Sequence, residues 1–241
     1  MLPRGFFDRP VLTVAPALLG CVLAHQTEAG LVAAEIVEVE AYRGESDPAS
    51  HAFRGKTVRN SVMFGESGHA YVYFTYGMHF CVNLVCQRPG QPAAVLLRAG
   101  RIVEGAGLAA ARRGVARREV AWRVVARPAA EAASPADRSA CDGAGQPGGK
   151  AARDLARGPA RLCQALGIDR AQNGADVCDA AGALRVLAPR GFHGLPDAAI
   201  STGPRVGVRL GAEDPWRFWV TGDPAVSVYR PHVPKRRTPP A

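Results

Sequence analysis

His69–Asn83, HAYVYFTYGMHFCVN, is the stretch on which the reading of this chain turns. Aromatic and β-branched residues fill both arms, and a glycine marks the reversal, so the segment reads as two strands joined at a tight turn. Tyr76, Gly77 and Met78 fall at the tip. Hairpin tips normally carry Asn, Asp or Ser, whereas a tyrosine and a methionine here would face water. Large apolar groups on a rigid finger suit insertion between stacked bases. Taken alone, the hairpin slightly favours a blander arrangement in which its tip tucks back into the core.

The remainder of the chain shifts that balance. Its 241 residues amount to one large domain or two small ones, and 47% hydrophobic residues suffice for a core. A formal charge of +9 favours a polyanionic partner without separating DNA from RNA or an acidic membrane surface. Lys56, Lys150 and Lys235 are the only lysines, so amine nucleophiles are scarce. The six cysteines (Cys21, Cys81, Cys86, Cys141, Cys163, Cys178) form no Cys-x-x-Cys pair and have no zinc-spaced histidine beside them. Neither a metal site nor a disulfide framework is expected. The first residues show no charged leader or apolar signal core, and no apolar run is long enough for a bilayer, so an intracellular soluble protein is expected.

Local signals give the organisation. Pro10–Leu19 reads as a short helix stopped by Gly20, and Cys21–His25 and Leu31–Tyr42 read as strands. Arg43–Asn60 is a polar connection long enough to be functional or disordered. Ala93–Arg98 is a further strand, and Ile102–Arg118 suggests a helix interrupted by glycines. The low-complexity run 128–152 reads as a flexible insertion. Gly158-Pro159 opens a helix through Leu166 that Gly167 stops. Short strands are expected around Val206–Leu210, Phe218–Val220 and Val226–Val228, followed by a mobile basic tail over 231–241. The fold class expected is α+β: a single compact domain over 1–241, with a curved, largely antiparallel sheet, peripheral helices and a protruding hairpin.

Chemistry concentrates after Leu31. On a strand, Val37, Val39 and Ala41 share one face, and Glu38, Glu40 and Tyr42 the other. Such alternation ordinarily means a half-buried strand with its glutamates in solvent. Here Tyr42 ends the polar face with a large ring, and the loop bearing His51 follows. A carboxylate at a strand end, beside an aromatic and a histidine, can serve as acid or base in a stacking pocket.

Taken in order, Val37–Tyr42, Ser50-His51, Tyr71–Met78 with Asn83, and Leu96–Ala99 resemble the alkyladenine (3-methyladenine) DNA glycosylase family, of methylpurine-DNA glycosylase type. The likeness extends to Phe6–Asp8, Arg59-Asn60, Met63-Phe64, Gly158–Leu166 and Arg205–Val208, and so spans most of the chain. The resemblance implies a DNA repair enzyme that flips a damaged purine from duplex DNA and hydrolyses its N-glycosidic bond, acting as a monomer without cofactor or metal. It implies Glu40 as the base that activates water, and Arg98 as the arginine ordering the glutamate, water and phosphate. Tyr42, His51 and Tyr73 become the walls that stack the flipped base, and Asn83 the residue crowding guanine's exocyclic amine. Tyr76 becomes the intercalating wedge, with Met78 beside it. Departures from the family pattern at Val58, Gly65–Gly68 and His79 bear on loop stiffness and groove contacts, not on the catalytic positions.

Two other classes compete. One is a non-catalytic nucleic-acid-binding module on the same fold, which would not need Glu40, Tyr42, His51 and Arg98 together. The other is a sugar-directed hydrolase using Glu38 and Glu40. It fits poorly because such enzymes place their two carboxylates on opposite sides of the scissile bond.

Overall fold

The computed structural model describes residues 1–75, 77–115 and 149–232. Its frame is β2 (Gly30–Tyr42), 13 residues long. β1 (Val22–Thr27) folds back on its first half, and β5 (Ala93–Glu104) runs along its other edge. The hairpin of β3 (Ala70–Thr75) and β4 (His79–Cys86) continues the sheet beyond β5. With β6 (Leu184–Leu187) outside β1, the order is β3-β4-β5-β2-β1-β6. β8 (Arg217–Val220) pairs with Glu38–Glu40 of β2 and also with β7 (Ile200–Gly203). All these pairings are antiparallel, as expected for the α+β class. The β2–β5 register shifts on both sides of Glu38, and bulges of this kind bend a sheet and increase its twist.

Strand periodicity divides the sheet into two faces. Val39, Ala41, Val72, Val82, Leu84, Val95 and Leu97 point into the main core. That core is closed by residues of α2 (Val11–Ala17), α3 (Ala106–Arg112) and α5 (Pro159–Leu166). Two short helices, α1 (Arg4–Phe7) and α4 (Lys150–Asp154), complete this layer. α5 begins and ends at the expected residues: Pro159 occupies its first turn, and Gly167, at φ +72°, stops it. The opposite face carries a small cluster of Ala52, Met63, Tyr71, Val85 and Ala94 beside the 43–64 connection.

Several local expectations differ from the structure. Ile102–Glu104 extends β5 instead of starting a helix, because pairing with Ala33 and Ala34 keeps the backbone extended. The helix begins only after Gly105, whose φ of +71° and approach to Leu31 exclude a side chain. Val206–Leu210 and Val226–Val228 are loops, not strands. The amides of Val206 and Ser227 go to the Glu40 and Glu38 carboxylates instead of to a neighbouring strand. The 43–60 connection is organised by short turns around the buried Asp47, which accepts from the Arg43 and Ala49 amides. Of the low-complexity stretch, 128–148 lies outside the described residues, and Lys150–Ala152 enters α4. Residues 233–241 also lie outside. Among the described residues no helix is long and apolar enough to cross a membrane.

Gly44 fixes where this connection leaves β2. Its φ is +70°, and a Cβ there would lie 1.7 Å from the Pro92 carbonyl oxygen. Gly44→Ala is expected to cost roughly 2 kcal/mol or more. Thermal denaturation should show a melting temperature about 4–8 °C lower; an unchanged melt would contradict this close approach.

Candidate active site

Antiparallel register sets one row of side chains across five strands. Tyr71 pairs with Asn83, Asn83 with Leu96, Leu96 with Glu40, and Glu40 with Arg217. All belong to the face opposite the main core. With strands about 4.8 Å apart, Asn83 and Glu40 stand roughly 10 Å from each other. Tyr73 and Cys81 form the adjacent pair. The row therefore places Tyr71, Asn83 and Glu40 in line without any help from the loops.

Both glutamates are fully buried, not solvated. Glu40 Oε1 accepts from the Val206 amide at 2.6 Å and lies 3.2 Å from Arg98 Nη1. Its Oε2 accepts from the Tyr42 hydroxyl at 2.8 Å. Glu38 Oε1 accepts from Arg98 Nε (2.9 Å), Arg217 Nε (2.7 Å) and Ser227 Oγ (2.8 Å), and its Oε2 accepts from the Ser227 amide (2.6 Å). Burial opposes the Arg98 cation, but Glu40 and Glu38 outweigh it and hold its pKa above the ordinary value. Burial and the Glu40 charge push the Tyr42 phenol well up, which keeps it a donor to Glu40. Glu38 does not line the cleft that Glu40 lines, which does not suit a hydrolase using both carboxylates.

An aromatic pocket lies beside the cleft that Glu40 lines and shares Tyr42, Ala49, His51 and Tyr73 with it. Tyr42, His51, Tyr71 and Tyr73 supply its rings, and Asn83 and Met63 also line it. The His51 and Tyr73 rings meet edge to face with centroids 4.5 Å apart, and Tyr71 hydrogen-bonds His51 Nδ1 at 3.0 Å. Asn83 Nδ2 donates to the Tyr71 carbonyl at 3.0 Å, which fixes the amide's orientation. Desolvation by its neighbours and the Arg59 charge lower the His51 pKa, favouring a neutral ring at pH 7. That larger, open cleft reaches Glu40 and Arg98. A second groove starts at Arg98 and continues past Arg157, Arg161 and Arg230, with Asp154 the only carboxylate among its lining residues.

A buried ion pair supports the Tyr42 wall. Arg205 is bonded to both oxygens of Asp47 and to the Ala41 carbonyl. Its guanidinium lies over the Tyr42 ring at 4.8 Å and the Trp216 ring at 4.9 Å. The same residue immediately precedes the Val206 amide that holds Glu40. Thus one anchor sets both a pocket wall and a carboxylate oxygen.

On the hairpin, Met78 is 71% exposed, and Phe74 also faces solvent. Arg59 Nη2 donates to the Phe74 carbonyl at 3.3 Å and so ties the 51–60 loop to the hairpin. Exposed Val58 and Phe53 lie on that loop. Tyr76 lies outside the described residues. The structure therefore gathers Glu40, Arg98, Tyr42, His51, Tyr73 and Asn83 around one pocket and cleft, with Met78 on the adjoining hairpin. Sequence reading missed Tyr71, Asp47, Arg217 and Ser227. Tyr71 lay in the recognised motif, two residues before Tyr73 and hence on the same strand face. Asp47, Arg217 and Ser227 had no local signal. Among the described residues, no group of three or more His, Cys, Asp or Glu side chains is placed to hold a metal ion.

The depressed His51 pKa gives a direct check. Arg59→Gln removes one of its two causes, so the His51 midpoint should rise in an NMR titration. In wild type the protonated ring is disfavoured by folding, so this group's contribution is present above the unfolded pKa near 6.5 and declines as pH falls through that value. An unmoved midpoint would remove Arg59 as a cause.

The geometry joins a buried carboxylate–arginine pair, an aromatic pocket and basic flanking grooves. Over residues 5–224 the chain matches the family model described as methylpurine-DNA glycosylase. A Streptomyces avermitilis protein provisionally named 3-methyladenine DNA glycosylase is 47% identical over 238 residues, covering 98% of this chain and 95% of that one. Proteins with the same provisional name from Leifsonia xyli and Methanocella arvoryzae are 46% and 43% identical. The alignments cover 95% and 96% of this chain and 92% and 98% of those proteins. The chain belongs to the methylpurine-DNA glycosylase family.

Proposed function

We propose that the protein takes an alkylated or deaminated purine out of duplex DNA into the aromatic pocket and hydrolyses its N-glycosidic bond, leaving an abasic site. The observation that carries this reading is the position of Glu40, a fully buried carboxylate lining the cleft that shares Tyr42, His51 and Tyr73 with that pocket. Among the described residues only Tyr42 donates to Oε2, leaving a lone pair for a water proton. Glu40 orients and deprotonates that water, and its charge stabilises the oxocarbenium-like sugar as the base departs. Arg98 neutralises the nearby backbone phosphate and holds Glu40 in place. The base lies between the Tyr42, His51 and Tyr73 rings, and the fixed Asn83 amide crowds the exocyclic amine of guanine.

Extruding the nucleotide costs roughly a few kcal/mol, least where pairing is already impaired. Tyr76, with Met78 beside it, offsets part of that cost by filling the gap. The groove past Arg157, Arg161 and Arg230 carries the DNA backbone. Backbone cleavage through a Schiff base would need an amine at the sugar. Lys56 Nζ lies over the Phe64 ring at 6.0 Å, and neither Lys56 nor Lys150 lines the pocket or cleft. On this reading the reaction is hydrolytic and monofunctional.

Duplexes carrying one hypoxanthine, one ethenoadenine or a methylated purine test this reading. The expected result is base release from at least one of them, strand breaks only after alkali, and no enzyme–DNA adduct trapped by borohydride. Selective binding with no release from any of the three would point to a binding module, and a trapped adduct to an amine nucleophile. Tyr76→Ser should reduce the fluorescence rise of 2-aminopurine beside the lesion on binding; an unchanged rise would remove the wedge.

A further inference from the structure

Glu38 is a fully buried charge that the reaction above does not use. It receives four hydrogen bonds, from Arg98, Arg217 and both polar groups of Ser227. Removing two carboxylates and two arginines from water is costly, and apolar side chains of similar volume are often no less stable in such places. Stability alone thus gives little reason for the arrangement. What it does provide is a fixed direction for Arg98.

We infer that Glu38 is a positioning residue for excision, acting through Arg98 by clamping its Nε while Nη1 reaches Glu40 in the cleft. This rests on the reading of the site as a glycosylase centre. From the Glu40 side, Arg98 is held only by the 3.2 Å approach of Nη1 to Oε1. A phosphate or a water entering the cleft would compete for that contact. Nε is bonded at 2.9 Å to a carboxylate that opens into neither the cleft nor the groove, so a ligand at Nη1 cannot turn the guanidinium. Ser227 adds a second point of attachment, accepting from Arg98 Nη2 at 3.3 Å while donating to Glu38. Arg217 completes the clamp. It donates to Glu38 at 2.7 Å and to the Ser227 carbonyl at 2.7 Å, and it leans over the Trp219 ring at 4.7 Å. Two carboxylates thus face two guanidiniums, and Glu38 does not take the Arg98 charge away from Glu40. The same network explains why β8 joins β2 opposite Glu38–Glu40 and why the 225–228 loop closes over that point.

A double-mutant cycle on the full-length chain separates positioning from plain structural support. In single-turnover excision of a lesion base, Glu38→Gln should slow the step about 10²-fold, as expected for small misplacement of a catalytic group. The Kd for lesion DNA should change little. In an Arg98→Ala background the same substitution should have almost no further effect. Ser227→Ala, which keeps both carboxylates, should slow excision less and show the same non-additivity; it serves if Glu38→Gln fails to fold. Unchanged excision in the folded variants, or losses that multiply in the Arg98→Ala background, would overturn the inference. Exchange of the Arg98 Nε–H, followed by NMR, does not depend on activity. It should be slow in wild type and fast in Glu38→Gln, and equal rates would overturn the clamp even if the wild type released no base. Absence of release alone would count against the glycosylase reading instead.

Discussion

Two carboxylates buried two residues apart on β2 are the constraint around which this protein is arranged. Glu38 and Glu40 can stay charged there only if cations and hydrogen-bond donors reach them. Those partners come from distant parts of the chain: Arg98 on β5, Arg217 on β8, and the amides of Val206 and Ser227 in loops. The loops at Val206 and Ser227 are therefore held to the sheet by the same bonds that organise the site. The valine-bearing segments that read as strands instead turn the Val206 and Ser227 amides toward carboxylates.

The sheet separates tasks by face and by position. One face contributes the core, and the other contributes a row in which Tyr71 and Asn83 stand at the pocket end and Glu40 at the cleft end. In the proposed reaction, recognition of the base and attack on the sugar are thus set by strand spacing, the most rigid dimension available. The hairpin and the 51–60 loop, joined by Arg59, carry exposed apolar and basic groups outward. On this reading access to the lesion depends on that hairpin and loop, while the chemistry depends on the sheet.

Much of this was legible in the sequence because the pattern and the structure share a period of two. The alternation in Val37–Tyr42 and Tyr71–Asn83 places the site residues on one face, and the ordered motifs identify the family. Pro159 and Gly167 mark the ends of α5 through backbone conformations that other residues resist. The burial of Glu38 and Glu40 was not legible, because their partners come from far along the chain: Arg217 and Ser227 are 179 and 189 residues from Glu38, and Val206 is 166 from Glu40. Long-range pairing of that kind leaves no mark at the pairing positions. Ile102–Glu104 misled for a related reason: its small and basic neighbours suit a helix, and only pairing with β2 keeps it extended. The Arg205–Asp47 pair beneath Tyr42 was equally hidden, although Arg205 lay within a recognised motif.

The most direct test of the account compares wild type with Glu40→Gln on a duplex carrying a single lesion base, measuring Kd and single-turnover base release together. The account predicts near-wild-type binding with release slowed by a factor of about 10² to 10⁴, the usual range for a lost general base. Release at a comparable rate in Glu40→Gln would contradict it and remove the buried carboxylate from the chemistry.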